Sequence, residues 1–136
     1  RIGQGASEVS AHAEVRAALL EVQRQAGVAG GIVAEGRDVG TVIFPDAEAK
    51  FFLTASVSVR ARRRYRELAE RGLPVELERL EREVAERDRR DTERAEAPLR
   101  CAEDAVTIDS SALSIDEVVS IIVDRVRAIA AQLGAR

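Results

Sequence analysis

GIVAEGRDVGTVIFPDAEAKFFLT, residues 31–54, decides how this chain is read. Its opening run, Gly31-Ile32-Val33-Ala34, is apolar, too short for a helix and suited to a buried strand. Two further apolar segments follow at residues 41–44 and 50–54, with Pro45-Asp46 between them as a turn or helix start. Runs that are apolar throughout, instead of alternating, belong to strands covered on both faces, as in parallel sheets. Helical segments surround the stretch. Residues 9–26 place Val15, Leu19 and Val22 at helical spacing before Gly27, and residues 56–70 carry Val57, Ala61, Tyr65 and Leu68 on one stripe before Gly72. Pro74 is suited to open the next helix, which runs to about Ala95. A last strand candidate spans residues 105–109. Ser114 and Glu117 then form a capping box with Leu113 and Val118 at the staple positions, so a final helix runs from Ser114 to about Leu133. Strands alternating with helices predict an α/β fold with a parallel sheet flanked by helices, although three convincing strands are few for a doubly wound sheet.

Composition narrows the function classes. A chain of 136 residues, 46% hydrophobic and 33% charged, suits one globular domain with a real core, built from Ala, Val, Leu and Ile because aromatics are only 3%. The net charge of −3 argues against a dedicated nucleic-acid binder. Lys50 is the sole lysine, and an arginine-dominated basic set is compatible with phosphate binding. Cys101 stands alone, which excludes an intramolecular disulfide and a cysteine metal cluster and fits a reducing, cytoplasmic setting; it reads as a small packed residue. No apolar run approaches the ~20 residues of a membrane span. His12 receives no role, and no metal ligands are expected.

Three charged constellations stand out. In ERDRRDTERAEAPL, residues 86–99, the apolar stripe Leu77, Leu80, Val84 continues by helical phase onto Arg87, Asp91 and Arg94. Glu86, Arg89, Arg90 and Glu93 point elsewhere, as i,i+4 surface pairs. Two arginines around one aspartate suit an anionic ligand in a cleft; a buried structural ion network is the competing account. GRDVGT, residues 36–41, places Arg37 and Asp38 between glycines at the carboxyl end of the first strand, where α/β sheets bind ligands; a glycine-supported turn with exposed charges explains it equally well. The third is Arg60, Arg62, Arg63, Arg64 and Arg66, read either as solvated pairing with Glu67 and Glu70 or as a lid that clamps phosphates.

Together, EGRDVGTVIFPDAEAKFFLTAS, RARRRYREL, ERDRRDTERAEAPL and AEDAVTIDSSALSIDEVV resemble the bacterial cytidylate kinase family, in order and along nearly the whole chain. The combination of GRD, RDxxDxxR and APL carries the resemblance. It implies a P-loop nucleoside monophosphate kinase fold and transfer of the γ-phosphoryl group of ATP to CMP or dCMP with Mg²⁺, in a cytoplasmic protein that is a monomer when complete, with no membrane or nucleic-acid partner. It further implies that Ser7, Arg16 and Asp38 form the base pocket. Arg37 and Arg94 would hold the CMP phosphate with Arg87 in the same cluster, and Asp91 would help to fix the sugar. Arg60, Arg63 and Arg64 match the start of the family's lid on the ATP side. Residues 1–29 would end the monophosphate-binding region, and residues 30–136 would form the core with a short lid at about 60–86.

The sequence departs from the family in having no GxxxxGK[ST] loop. The resemblance implies that this loop and its strand precede Arg1, which would leave the sheet incomplete. The expectation is therefore a C-terminal fragment that binds ATP poorly and transfers no phosphoryl group alone. A non-catalytic module that uses its arginine helices to contact protein or RNA, and a kinase for UMP or AMP, are the alternatives.

Overall fold

The computed structural model describes Val9 and residues 12–134. In chain order these form helix α1 (Ala13–Gly27), a π-helical turn (Val39–Ile43), strand β1 (Phe51–Thr54), helices α2 (Val57–Glu70) and α3 (Leu77–Glu93), strand β2 (Val106–Asp109) and helix α4 (Ile115–Gly134). Strands β1 and β2 pair in parallel, with Phe51 opposite Val106 and Thr54 opposite Asp109. The helical hairpin α2–α3 is the crossover that parallel pairing requires.

The helix ends follow local signals. Ser56 accepts from the Val59 amide at the start of α2. That helix closes in a Schellman arrangement: Gly72, at φ +68°, donates to the Ala69 carbonyl, and Leu73 donates to Leu68. The capping box at α4 forms as its sequence specifies, with the Ser114 amide donating to Glu117 Oε2 at 2.8 Å and the Glu117 amide to Ser114 Oγ at 3.2 Å.

Several expectations are corrected. Residues 31–34 form no strand: Gly30 and Gly31 both take positive φ, and no neighbouring strand among the described residues supplies the ladder that would hold an extended segment. Residues 41–44 lie mostly within the π-helical turn, where Val42 and Ile43 donate to the Asp38 carbonyl and Phe44 to that of Val39. The side-chain pattern of this run is apolar in either geometry, and the backbone follows its contact with α1. Pro74 stands three residues before α3, because the chain leaving the Schellman turn stays extended through Glu76. Cys101 is exposed, not packed.

The core is also thinner than the chain length predicts. Its buried apolar residues are Ile43, Ala55, Ala61, Leu80 and Ile108. In β1 Leu53 is exposed, and β2 alternates, so the sheet is covered on one face only. Helix α4 buries no residue and presents Ile115, Val119 and Val126 outward.

Polar ties supplement this core. Arg60 on α2 grips Asp88 on α3 through both carboxylate oxygens, and its Nε donates to the Ala55 carbonyl at 2.9 Å. Arg63 donates to the Ser110 carbonyl at 2.6 Å and to its hydroxyl at 3.1 Å. The carboxyl ends of both strands are thus fastened to α2. On α1, Arg24 donates to the carbonyls of Val42 and Ile43.

Two stability outcomes follow. Leu80→Ala truncates the one buried apolar side chain of α3 and should cost about 2–3 kcal/mol, read as a lowered urea midpoint by circular dichroism. The Asp88 carboxyl is held below its usual range chiefly by the hydrogen bonds from Arg60, with burial opposing and the nearby charges of Arg60, Arg37 and Arg87 assisting. Its contribution, roughly 1 kcal/mol after solvent screening, is therefore complete at neutral pH and is lost as pH falls below about 4 through the depressed value. Urea midpoints of wild type and Asp88→Asn should differ at pH 7 and converge towards pH 3.

Candidate functional site

Two buried carboxylates organise the site. Asp38 is 7% exposed and Asp91 is 6% exposed. Asp38 precedes the π-helical turn, where the Val42 amide (i→i+4) and the Ile43 amide (i→i+5) both donate to its carbonyl, and its side chain is buried. Asp91 lies on the inward stripe of α3, one turn before the helix ends at Arg94.

Arginines from three segments converge on this pair. Arg16 of α1 makes an ion pair with Asp38 Oδ2, and Arg94 Nη2 lies 3.7 Å from Asp38 Oδ1. Arg37 Nε is 2.8 Å from Asp91 Oδ2, and Arg87 Nε is 3.7 Å from the same atom. Neither arginine is aligned to donate, so buried Asp91 Oδ2 has no hydrogen bond. The segment after α3 is shaped by the same residues. Arg94 Nε donates to the Ala97 carbonyl at 2.6 Å, the Leu99 amide donates to that of Asp91 at 2.7 Å, and Ala97 takes φ +48°. An open hollow of about 560 Å³ borders this turn, lined in part by Thr41, Val42, Thr92, Arg94, Pro98 and Arg100.

The charge balance favours an anion. Four arginines face two carboxylates, and Arg94 Nη2 is buried without an acceptor. Burial pushes the Arg94 guanidinium below the usual arginine range, and Arg16 adds to that, against the pull of Asp38 and Asp91. A buried donor without a partner costs about 1–3 kcal/mol, and a phosphate oxygen would supply the missing acceptor. The set therefore fits a phosphate group.

The expected site residues separate into groups. Arg16, Arg37, Asp38, Arg87, Asp91 and Arg94 come together as one cluster. Ser7 lies outside the described residues. Arg87 does not continue the buried stripe: its side chain is 49% exposed and it reaches Asp91 from the rim. The stripe runs instead through Leu80, Val84, Asp88 and Asp91. A step of four residues overshoots one turn by about 40°, less than the roughly 60° by which a step of three falls short, so position 88 lies nearer than 87 to the line of Val84. Asp88 was missed by the sequence reading, and the 80–84–88–91 spacing is the signal that could have found it. Glu86, Arg89 and Glu93 pair on the surface as expected. Arg60 and Arg63 are engaged by Asp88 and Ser110, and Arg64 meets Glu67 on the surface. Lys50 holds Asp104 and the Pro45 carbonyl. Among the described residues no three His, Cys, Asp or Glu side chains gather as a metal site.

Comparison with known proteins bears on this cluster. The family model described as cytidylate kinase matches residues 1–128. The chain is 57% identical over 120 residues to a cytidylate kinase of Geobacter sp. strain M21, covering 88% of this chain and 52% of that protein. It is 58% identical over 119 residues to a cytidylate kinase of Methylococcus capsulatus, covering 88% and 54%. A bifunctional pantoate ligase/cytidylate kinase of Synechococcus sp. strain RCC307 is 58% identical over 118 residues, or 86% of this chain and 23% of that protein. The chain spans about half the length of the first two relatives. With the arginine cluster drawn from the GRD and RDxxDxxR segments and a family match over nearly all its residues, the chain belongs to the cytidylate kinase family.

Proposed function

We propose that the protein carrying this chain transfers the γ-phosphoryl group of ATP to CMP or dCMP, and that the Asp38–Asp91 cluster is its monophosphate site. The observation that carries this reading is the buried Arg94 Nη2, which lacks an acceptor amid an excess of arginines. The monophosphate binds against Arg94 and Arg37, with Arg87 closing from the rim. Asp38 accepts from the exocyclic amine of cytosine, a donor that uracil lacks, with Ser7 and Arg16 completing the base pocket. Asp91 holds Arg37 and Arg87 and accepts from a sugar hydroxyl.

In this reading residues 1–29 end the monophosphate-binding region, residues 30–136 form the core of a P-loop nucleoside monophosphate kinase fold, and residues 60–86 make a short lid. The salt link from Arg16 to Asp38 joins the first of these regions to the second. An oxygen of the bound monophosphate attacks the γ-phosphorus, the bond to the β,γ-bridging oxygen breaks, and ADP leaves. No protein nucleophile is needed; the arginines neutralise the acceptor phosphate and hold it for in-line approach. Arg60, Arg63 and Arg64 are the candidates for the ATP phosphates, and the first two reach them only by exchanging Asp88 and Ser110. The family implies magnesium, which neutralises nucleotide phosphates when bound. The described residues hold no ligand cluster for it, and no step here is routed through it.

The test is calorimetric titration with CMP, dCMP, UMP and AMP. Arg94→Ala should weaken CMP at least about tenfold, the scale of a charge-assisted hydrogen bond, with equal losses for all four nucleotides. Asp38→Ala should narrow the preference for CMP over UMP. Identical losses in both variants count against the assignments. With no GxxxxGK[ST] loop among its 136 residues, the chain alone should form no ADP from ATP and CMP in a coupled assay.

A further inference from the structure

Asp88 occupies the inward face of α3, three residues before Asp91, and it takes part in no contact with the phosphate cluster itself. Its carboxylate accepts from Arg60 Nη1 at 2.8 Å through Oδ1 and from Nη2 through Oδ2. The remaining edge of that guanidinium, Nε, donates 2.9 Å to the carbonyl of Ala55, a buried residue that directly follows β1. All three nitrogens of the fork therefore take part in joining the carboxyl end of β1 to one turn of α3. A lysine could keep the charge but not this three-point span.

That turn is the one on which the site depends. Arg87 precedes Asp88 directly, Asp91 follows on the same face, and Arg94 ends the helix. Any slide or rotation of α3 moves all three together, while Arg37, on the loop before the π-helical turn, stays behind. Arg37 and Arg87 also lie close enough to Asp88 to favour its charged form, so its negative charge opposes their mutual repulsion.

We propose that Asp88 is a positioning residue for the monophosphate site: by gripping Arg60 it fixes the turn of α3 that carries Arg87, Asp91 and Arg94. This rests on the function proposed above.

The experiment measures steady-state kinetics for CMP and ATP, CMP affinity and melting temperature on the product of the complete gene, as wild type, Asp88→Asn, Arg60→Lys and the double variant. Asp88→Asn should raise the KM for CMP about tenfold and leave that for ATP within about twofold, and Arg60→Lys should reproduce the rise for CMP. The double variant should be no worse than either single one, since both break one link. If Asp88→Asn fails to fold, the KM for CMP of Arg60→Lys, which keeps the charge, carries the test. The proposal is overturned by an unchanged KM for CMP. It is equally overturned by parallel losses for both substrates that track a fall in melting temperature, or by a lowered KM for ATP alone, which would mean that Asp88 merely restrains Arg60. Wild-type protein that neither binds nor phosphorylates CMP removes the proposed function and this proposal with it; normal wild-type kinetics with an indifferent Asp88→Asn removes only the latter.

Discussion

Asp38 and Asp91 carry buried carboxyl groups, and the arrangement of the site follows from the partners that burial demands. Removing a carboxylate from water costs several kcal/mol unless cations and hydrogen bonds meet it. The cations come from α1, from the loop before the π-helical turn, and from the two ends of one stretch of α3. These segments share little apolar contact, since only five hydrophobic residues among those described are buried. Electrostatic convergence on two carboxylates therefore sets their relative placement.

Pairing on the cluster is incomplete, and the incompleteness has chemical content. On the outer face of α3, Arg89 is matched by Glu86 and Glu93, and such exposed links contribute little. Inside, four arginines share two aspartates, and one buried donor of Arg94 has no hydrogen-bond acceptor. The same residue types thus do two jobs on opposite sides of one helix. What separates the two sets is the burial of Asp38 and Asp91, against the exposed Glu86 and Glu93.

How much was legible in the sequence differs by element. Helix ends were readable where a side chain satisfies its own backbone: the capping box at Ser114 and the glycine that closes α2 form as read. The strand at residues 106–109 falls within the expected 105–109, and the parallel pairing was legible from strands that alternate with helices. Residues 31–34 and 41–44 were not, because an apolar run specifies burial and short length while a strand also requires a neighbour to complete its hydrogen bonds. Helix α4 shows the same division: local signals make a 20-residue helix, yet none of its residues is buried.

The sequence by itself determined which residue types form the cluster. Helical phase placed Asp91 and Arg94 inward, and the GRD segment identified Arg37 and Asp38, since side-chain periodicity is a local property of the backbone. The family resemblance, not local pattern, joined these two segments in one cluster, and tertiary structure alone decided that Arg87 sits at the rim and that Asp88 takes the half-buried place beside it. It also decided that Arg60 turns to α3 and the end of β1. Those outcomes depend on distances between segments far apart in the chain, 28 residues for Arg60 and Asp88 and 22 for Arg16 and Asp38, which no local pattern encodes.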